Sequence, residues 1–188
     1  EAGICILHAP LFHPAMKQVA PIRRELGVKT FFNMLGPMVN PAFPKYQMVG
    51  VFNLELARMY GYLYQNTDKT FSILHALDGY DEISLTGDTK VIGNTVESVL
   101  RPEDLSLEPL TPKEIYGGET VAEAAGIFMN VLQGKGTPAQ EAVVCANAGV
   151  AIATANGGSP REGYEKAKES LSSGSALKAF KRLQELSA

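Results

Sequence analysis

Three acidic residues follow an apolar segment. Asp78, Asp81 and Glu82 come directly after residues 71–77, which have the pattern of a buried strand. In an open parallel sheet, ligands bind beyond the carboxyl ends of the strands, where these acids would lie. The adjacent carboxylates of Asp81 and Glu82 suit Mg²⁺, which usually takes one or two carboxylates together with phosphate oxygens of a substrate. By position alone, an acidic turn without a ligand explains these residues equally well.

A second segment with possible chemistry is cationic. Residues 13–27 contain Lys17, Arg23 and Arg24, with only Glu25 to balance them. A proline at position 21 should interrupt one helix and start another, which places Arg23 in a first helical turn. A guanidinium group beside free backbone N–H groups can bind a carboxylate or a phosphate. On charge pattern alone, solvated surface arginines are the more frequent explanation.

The segment at residues 33–41 has the residues of a turn. Gly36-Pro37 and Asn40-Pro41 both mark changes of chain direction. A glycine can bring the backbone close to a ligand, although a plain loop is the commoner outcome. No Gly-x-Ser-x-Gly elbow or Cys–His pair indicates nucleophilic catalysis, and His75 lies inside a strand pattern and is interpreted as structural.

The elements that would position these residues alternate between strand and helix. Buried strands are predicted at residues 47–52 and 71–77, and between them a helix capped by Asn53 is predicted over residues 53–66. This βαβ order implies parallel pairing. Further predictions are a strand at residues 4–9, a hairpin at 89–93 and 97–100, a single turn at 111–114, and helices at 120–132, 137–155, 159–172 and 175–186. The sequence thus predicts one α/β domain over residues 1–188, with a mainly parallel sheet and flanking helices.

Composition narrows the function further. The chain has 188 residues, with 17 Lys and Arg against 20 Asp and Glu, for a formal net charge of −3. This balance disfavours a nucleic-acid partner, and no apolar run reaches the ~18 residues of a membrane helix. Cys5 and Cys145 are far apart and form no disulfide framework, which favours a reducing, cytoplasmic location. Together, the cationic segment at residues 13–27 and the adjacent carboxylates of Asp81 and Glu82 favour a Mg²⁺-assisted site for an anionic substrate.

Three segments in this order resemble the anthranilate phosphoribosyltransferases. They are residues 13–27, residues 30–37 with Asn40-Pro41, and residues 79–82, and the similarity continues through Asn147-Ala148 to residues 161–163. The resemblance implies a domain like the C-terminal domain of the nucleoside phosphorylases and phosphoribosyltransferases. It also implies a Mg²⁺-dependent enzyme of tryptophan biosynthesis that joins anthranilate to phosphoribosyl pyrophosphate and releases pyrophosphate. The full-length enzyme is expected to be a homodimer.

The same resemblance suggests roles for individual residues. Arg23 matches the arginine that binds the anthranilate carboxylate, and Asp81 and Glu82 match the metal-binding pair. His13 and the backbone at Gly36 match groups that line the anthranilate channel, and Met16 and Pro10 are weaker candidates for its wall. No catalytic acid, base or nucleophile is assigned.

Some family features have no counterpart in residues 1–188. The glycine-rich pyrophosphate loop and a Lys-His-Gly-Asn stretch are expected upstream of Glu1. The chain is therefore expected to be the C-terminal portion of a longer two-domain enzyme and to be inactive alone. The alternatives are a relative that resembles the pyrimidine nucleoside phosphorylases, a non-catalytic nucleic-acid-binding paralogue of the same fold, and a stand-alone binding or assembly module.

Overall fold

The structure is a computed structural model that describes residues 1–12, 25 and 32–187. The chain divides into two compact units, one formed by Glu1–Pro44 with Ala179–Ala188 and the other by Lys45–Lys178. The described α-helices are α1 (Ala9–Phe12), α2 (Phe32–Leu35), α3 (Leu54–Tyr64), α4 (Val121–Leu132), α5 (Pro138–Asn156), α6 (Pro160–Ser172) and α7 (Ser175–Ser187). Short 3₁₀ helices cover Gly36–Met38 and Pro102–Leu105.

The second unit is built on a four-stranded sheet. Its strands lie in the order β1 (Tyr46–Gly50), β2 (Thr70–Ala76), β3 (Thr89–Gly93) and β4 (Glu97–Leu100). β1 and β2 are parallel, whereas β2–β3 and β3–β4 are antiparallel. The α/β class is confirmed, but the prediction of a mainly parallel sheet is wrong for the described strands. The tight β3–β4 hairpin permits only antiparallel pairing, and the connection between β2 and β3 contains no crossover helix that would make those strands parallel.

The crossover between the parallel strands follows the predicted βαβ unit. The Asn53 side chain caps α3 by accepting a hydrogen bond from the Leu56 backbone N–H at 2.7 Å. One face of the helix buries Leu56, Tyr60 and Tyr64. The Tyr64 ring lies 5.4 Å from that of Phe71 on β2. An amphipathic helix thus fixes β1 beside β2.

Helices α5 and α6 pack unusually closely. Both start with the predicted capping boxes, at Thr137 and Ser159. Where they cross, a Cβ atom on Gly163 would overlap the carbonyl oxygen of Gly149. The two backbones therefore touch. The core beside them contains Leu74, Ile83, Leu85, Leu100, Leu105, Val131, Cys145, Ala146, Val150, Tyr164, Ala167 and Leu171.

The strand predicted at residues 4–9 is wrong. Ile4 and Ile6 are 52% and 72% exposed, and Ala9 begins helix α1. An isolated apolar run gains little as a strand unless a neighbouring strand satisfies its backbone groups, and none of the four described strands pairs with this segment.

None of the helices within the described ranges is long and apolar enough to span a bilayer.

Candidate active site

The acidic loop, defined as residues 77–88, connects the carboxyl end of β2 to β3. It presents Asp81 and Glu82 to solvent. Within the part of the chain that the structure describes, neither carboxylate makes a hydrogen bond or an ion pair. Both carboxylates therefore retain their full capacity to accept hydrogen bonds or to ligate a cation.

Asp78, another acid of this loop, has a different environment from the acidic pair. The Asp78 carboxylate accepts a hydrogen bond from Thr86 Oγ1 and a longer one, at 3.4 Å, from Ser84 Oγ. Thr86 Oγ1 also lies 2.8 Å from Ser84 Oγ. Asp78 therefore shapes the loop. Asp88, at its end, forms an ion pair with Arg101 at 3.7 Å, so Asp81 and Glu82 are the two acids of the loop left to hold a ligand.

Hydrogen bonds from His75 and Ala76 fix the carboxyl end of β2, where the acidic loop begins. His75 is 7% exposed, and its Nδ1 lies 2.9 Å from the carbonyl oxygen of Val51, which confirms its structural interpretation. The backbone N–H of Ala76 donates to the Tyr80 carbonyl at 2.9 Å, so the chain turns directly after β2. Asp81 consequently lies close to the end of the strand.

Two residues outside the loop constrain the backbone at Asp81 and at Ile83, the residue that follows the acidic pair. A Cβ atom on Gly50, the last residue of β1, would overlap the carbonyl oxygen of Asp81. From α5, Asn147 Oδ1 accepts a hydrogen bond from the Ile83 N–H at 3.0 Å. Asn147 Nδ2 donates to the Ile83 carbonyl oxygen at 2.8 Å.

Sequence reasoning assigned no role to Gly50 or Asn147 in this loop. Signals for both exist in the sequence. A glycine inside a strand pattern often marks a close backbone approach, and an asparagine in a helix rich in Ala and Val needs a hydrogen-bond partner if it is buried. Neither signal identifies the partner.

The residues predicted to bind anthranilate do not lie in the acidic loop. Arg23, His13 and Met16 lie outside the described residues, and their roles stay predictions. Pro10 lies in α1 and Gly36 begins the 3₁₀ helix Gly36–Met38, both in the first unit.

Gly36 is exposed, and its φ angle is not left-handed. Among the described residues, no atom lies within 4 Å of where its Cβ would be. The backbone of this turn therefore does not itself require glycine, and the role of Gly36 in the channel stays a prediction.

The buried thiol near this site is not an activated nucleophile. Cys145 lies on α5, and burial raises its pKa, with the negative charge of Glu141 adding to the effect. The nucleophilic form of cysteine is the thiolate, so this cysteine stays protonated at neutral pH. Among its described residues, the site thus offers carboxylates and no activated thiol.

Comparison with known proteins identifies the family. The model described as "Glycosyl transferase family, a/b domain" matches residues 1–177. The chain belongs to this family. It is 66% identical to the anthranilate phosphoribosyltransferase of Flavobacterium psychrophilum over 187 residues, which cover all of this chain and 57% of that protein. The chain thus spans little more than half the length of this curated relative.

Solved structures of the family agree with the fold. The anthranilate phosphoribosyltransferase of Thermus thermophilus superimposes with a TM-score of 0.87 at 33% identity, over 97% of this chain and 55% of that one. The Saccharomyces cerevisiae enzyme in complex with PRPP and Mg gives a TM-score of 0.81 at 28% identity, over 91% of this chain and 49% of that one. The predicted resemblance is confirmed.

Proposed function

We propose that the chain forms part of an anthranilate phosphoribosyltransferase. This enzyme transfers the phosphoribosyl group of phosphoribosyl pyrophosphate to the amine of anthranilate, releasing pyrophosphate, in tryptophan biosynthesis. The observation that carries the proposal is the pair of exposed carboxylates of Asp81 and Glu82, which have no partner among the described residues and extend from a firmly held loop. It is supported by the 66% identity to a protein of that name.

The acidic pair fits a magnesium ion. Among the described residues, no group of three His, Cys, Asp or Glu side chains could hold a metal ion. Mg²⁺ does not need such a cage, because it usually combines one or two carboxylates with water and substrate phosphate oxygens. Bound there, Mg²⁺ would neutralise the charge that develops on the departing pyrophosphate. The yeast enzyme solved in complex with PRPP and Mg supports the use of Mg²⁺, although not the choice of these two residues.

Anthranilate is proposed to be held by the other predicted residues. A bidentate contact from the Arg23 guanidinium to the anthranilate carboxylate would orient the ring. The channel wall is assigned to His13, Met16, Pro10 and the backbone at Gly36. Because the amine of anthranilate is already a nucleophile, its positioning can replace a dedicated strong base.

The metal assignment is tested by neutral substitutions in the full-length protein. Asp81→Asn and Glu82→Gln should each raise the Mg²⁺ concentration needed for half-maximal activity, because each removes one anionic ligand. Asp68→Asn is the matched control, since Asp68 is an exposed acid that precedes β2 at the strand's opposite end. Equal Mg²⁺ dependence in all three variants would contradict the assignment.

The anthranilate assignment is tested by Arg23→Ala. Loss of a charge-assisted contact worth ~1.5–3 kcal/mol should raise the KM for anthranilate by about 10- to 100-fold. The KM for phosphoribosyl pyrophosphate should change much less. Equal increases in both constants would count against this role.

Two further proposals concern the whole protein. Residues 1–188 alone are proposed to be inactive, because the family's glycine-rich pyrophosphate loop has no counterpart in this sequence. The full-length enzyme is proposed to be a homodimer. Steady-state assays of the 188-residue chain and light scattering of the full-length protein test them, and full activity or a monomer would overturn the respective proposal.

Ligand-induced stabilisation separates the candidate functions. A ligand that binds the native state raises the midpoint of thermal unfolding. Anthranilate should do so with the full-length protein, whereas pyrimidine nucleosides and single-stranded DNA should not. A shift with nucleosides or DNA and none with anthranilate would favour the phosphorylase-like or nucleic-acid-binding alternative.

A further inference from the structure

One side chain on helix α5 holds the backbone next to the acidic pair. We propose that Asn147 is a positioning residue that sets the geometry of the Asp81 and Glu82 carboxylates for a divalent cation. The inference rests on the proposed function, because it assigns Asn147 a task in the metal site proposed above.

The contact between Asn147 and the loop is specific. A single amide satisfies both backbone polar groups of Ile83, accepting from its N–H at 3.0 Å and donating to its carbonyl oxygen at 2.8 Å. The two residues are 64 positions apart in the chain. This paired contact defines the position and the orientation of the backbone at Ile83.

The amide itself is held in place. Asn147 Nδ2 also donates to the carbonyl oxygen of Val143, one turn earlier on the same helix, at 3.0 Å. This third hydrogen bond restricts the rotamer of the side chain. The orientation of Asn147 is therefore tied to the axis of α5, which is a rigid element of 19 residues.

Ile83 directly follows the acidic pair and anchors it in the core. Its side chain is 2% exposed and packs in the same cluster as Leu74, Leu85 and Cys145. On the other side of the pair, Gly50 leaves just enough room for the Asp81 carbonyl. The backbone of Asp81 and Glu82 is thus confined between β1 and the residue that Asn147 holds.

This arrangement leaves the carboxylates free while fixing the backbone from which they extend. A metal site gains affinity when its ligands are held near the productive geometry before the ion arrives. Residues that orient ligands without touching the metal typically contribute about 10- to 100-fold to metal affinity or activity. Asn147 has the position and the hydrogen bonds for that task.

The test compares two variants of the same helix in the full-length protein. Asn147→Ala removes the contact with Ile83. Thr154→Val is the matched control, because Thr154 Oγ1 joins α5 to β2 through Ser72 Oγ at 2.8 Å and belongs to neither the acidic loop nor its contacts. Asn147→Ala loses two hydrogen bonds from α5 to Ile83, and Thr154→Val loses one from α5 to β2, all partly buried and within the second unit.

The primary readout is Mn²⁺ binding in the presence of phosphoribosyl pyrophosphate, followed by electron paramagnetic resonance. Asn147→Ala should weaken Mn²⁺ binding by about 10- to 100-fold, and Thr154→Val should bind Mn²⁺ like the wild type. In steady-state assays, Asn147→Ala should raise the Mg²⁺ activation constant while leaving the KM for anthranilate unchanged.

Unchanged Mn²⁺ affinity in Asn147→Ala, or an equal loss in both variants, would overturn the role of Asn147. Absence of Mn²⁺ binding by the wild type would instead overturn the proposed function and this inference together. If Asn147→Ala does not fold, Asn147→Ser replaces it, since a single short hydroxyl cannot hold both backbone groups of Ile83. The same reduction in Mn²⁺ affinity is then expected.

Discussion

Asp81 and Glu82 in the acidic loop, and Gly36 in the turn segment (defined here as residues 35–43), are all predicted to contact ligands. The hydrogen bonds described for these two regions differ. The acidic loop depends on contacts from distant parts of the chain, namely Asn147 on α5 and Gly50 on β1. In the turn segment, the backbone N–H groups of Val39, Ala42 and Phe43 donate to acceptors within four positions.

The comparison distinguishes long-range contacts from local hydrogen bonds as the means of fixing a loop. A loop held by tertiary contacts forms only when the unit folds, and the backbone from which its carboxylates extend is then fixed. The hydrogen bonds described for the turn segment are local, and such turns depend largely on the local sequence. Substitutions in the two regions should therefore differ in their effect on the free energy of unfolding.

The largest effect is expected for Gly50→Ala. The added Cβ would overlap the Asp81 carbonyl oxygen, so either β1 or the acidic loop must move. Overpacking of this kind typically destabilises by ~1–3 kcal/mol, and urea denaturation would measure it. Mn²⁺ binding should weaken as well. Unfolding at wild-type urea concentrations would show that the loop is less constrained than the structure indicates.

Asp78→Ala should have the next largest effect. It removes the acceptor for Thr86 Oγ1 and Ser84 Oγ, and the loss of hydrogen bonds to an exposed charged group should cost about 1 kcal/mol. Asp78→Asn is the control, because it keeps one acceptor oxygen and should lose less stability. Equal losses in the two variants would indicate that the charge, rather than the hydrogen bonds, holds the loop.

Asn40→Ala tests the turn segment. Asn40 Oδ1 accepts a hydrogen bond from the Ala42 N–H at 2.9 Å, in an exposed position. Its removal should lower the free energy of unfolding by only about 0.5 kcal/mol, as measured by the shift in the urea midpoint. A loss as large as that of Gly50→Ala would remove the contrast between the two regions.

Gly36→Ala should change stability least, by less than about 0.5 kcal/mol. No described atom lies within 4 Å of the new Cβ, and the φ angle of Gly36 is not left-handed. If the proposed anthranilate channel is correct, the KM for anthranilate should still rise, because the methyl group would face the substrate. An unchanged KM together with unchanged stability would exclude Gly36 from the channel.

Local signals predicted the secondary structure well. The cap at Asn53 and the capping boxes at Thr137 and Ser159 involve residues within three positions of one another, so a short window of sequence contains both partners. The hairpin strands Thr89–Gly93 and Glu97–Leu100 have the predicted bounds.

Predictions failed where distant partners decide the outcome. The apolar run at residues 4–9 looks like a strand, but a strand needs a neighbour that its own sequence does not reveal. The antiparallel direction of β3 beside β2 also depends on how the acidic loop folds back. Likewise, the sequence indicated Asp81 and Glu82, but the pairing of Asn147 with Ile83 spans 64 positions and became visible only in the folded chain.

The contact between Gly149 and Gly163, at the interface of α5 and α6, also bears on the position of the acidic pair. Asn147 precedes Gly149 by two positions on α5. A shift of α5 relative to α6 would therefore also displace the Asn147 side-chain amide. A Cβ atom on Gly163 would overlap the carbonyl oxygen of Gly149, so one of the two helices would have to move. The Gly163→Ala substitution should therefore alter the position of the Asp81 and Glu82 carboxylates through Asn147 and Ile83, although the added methyl group does not contact them.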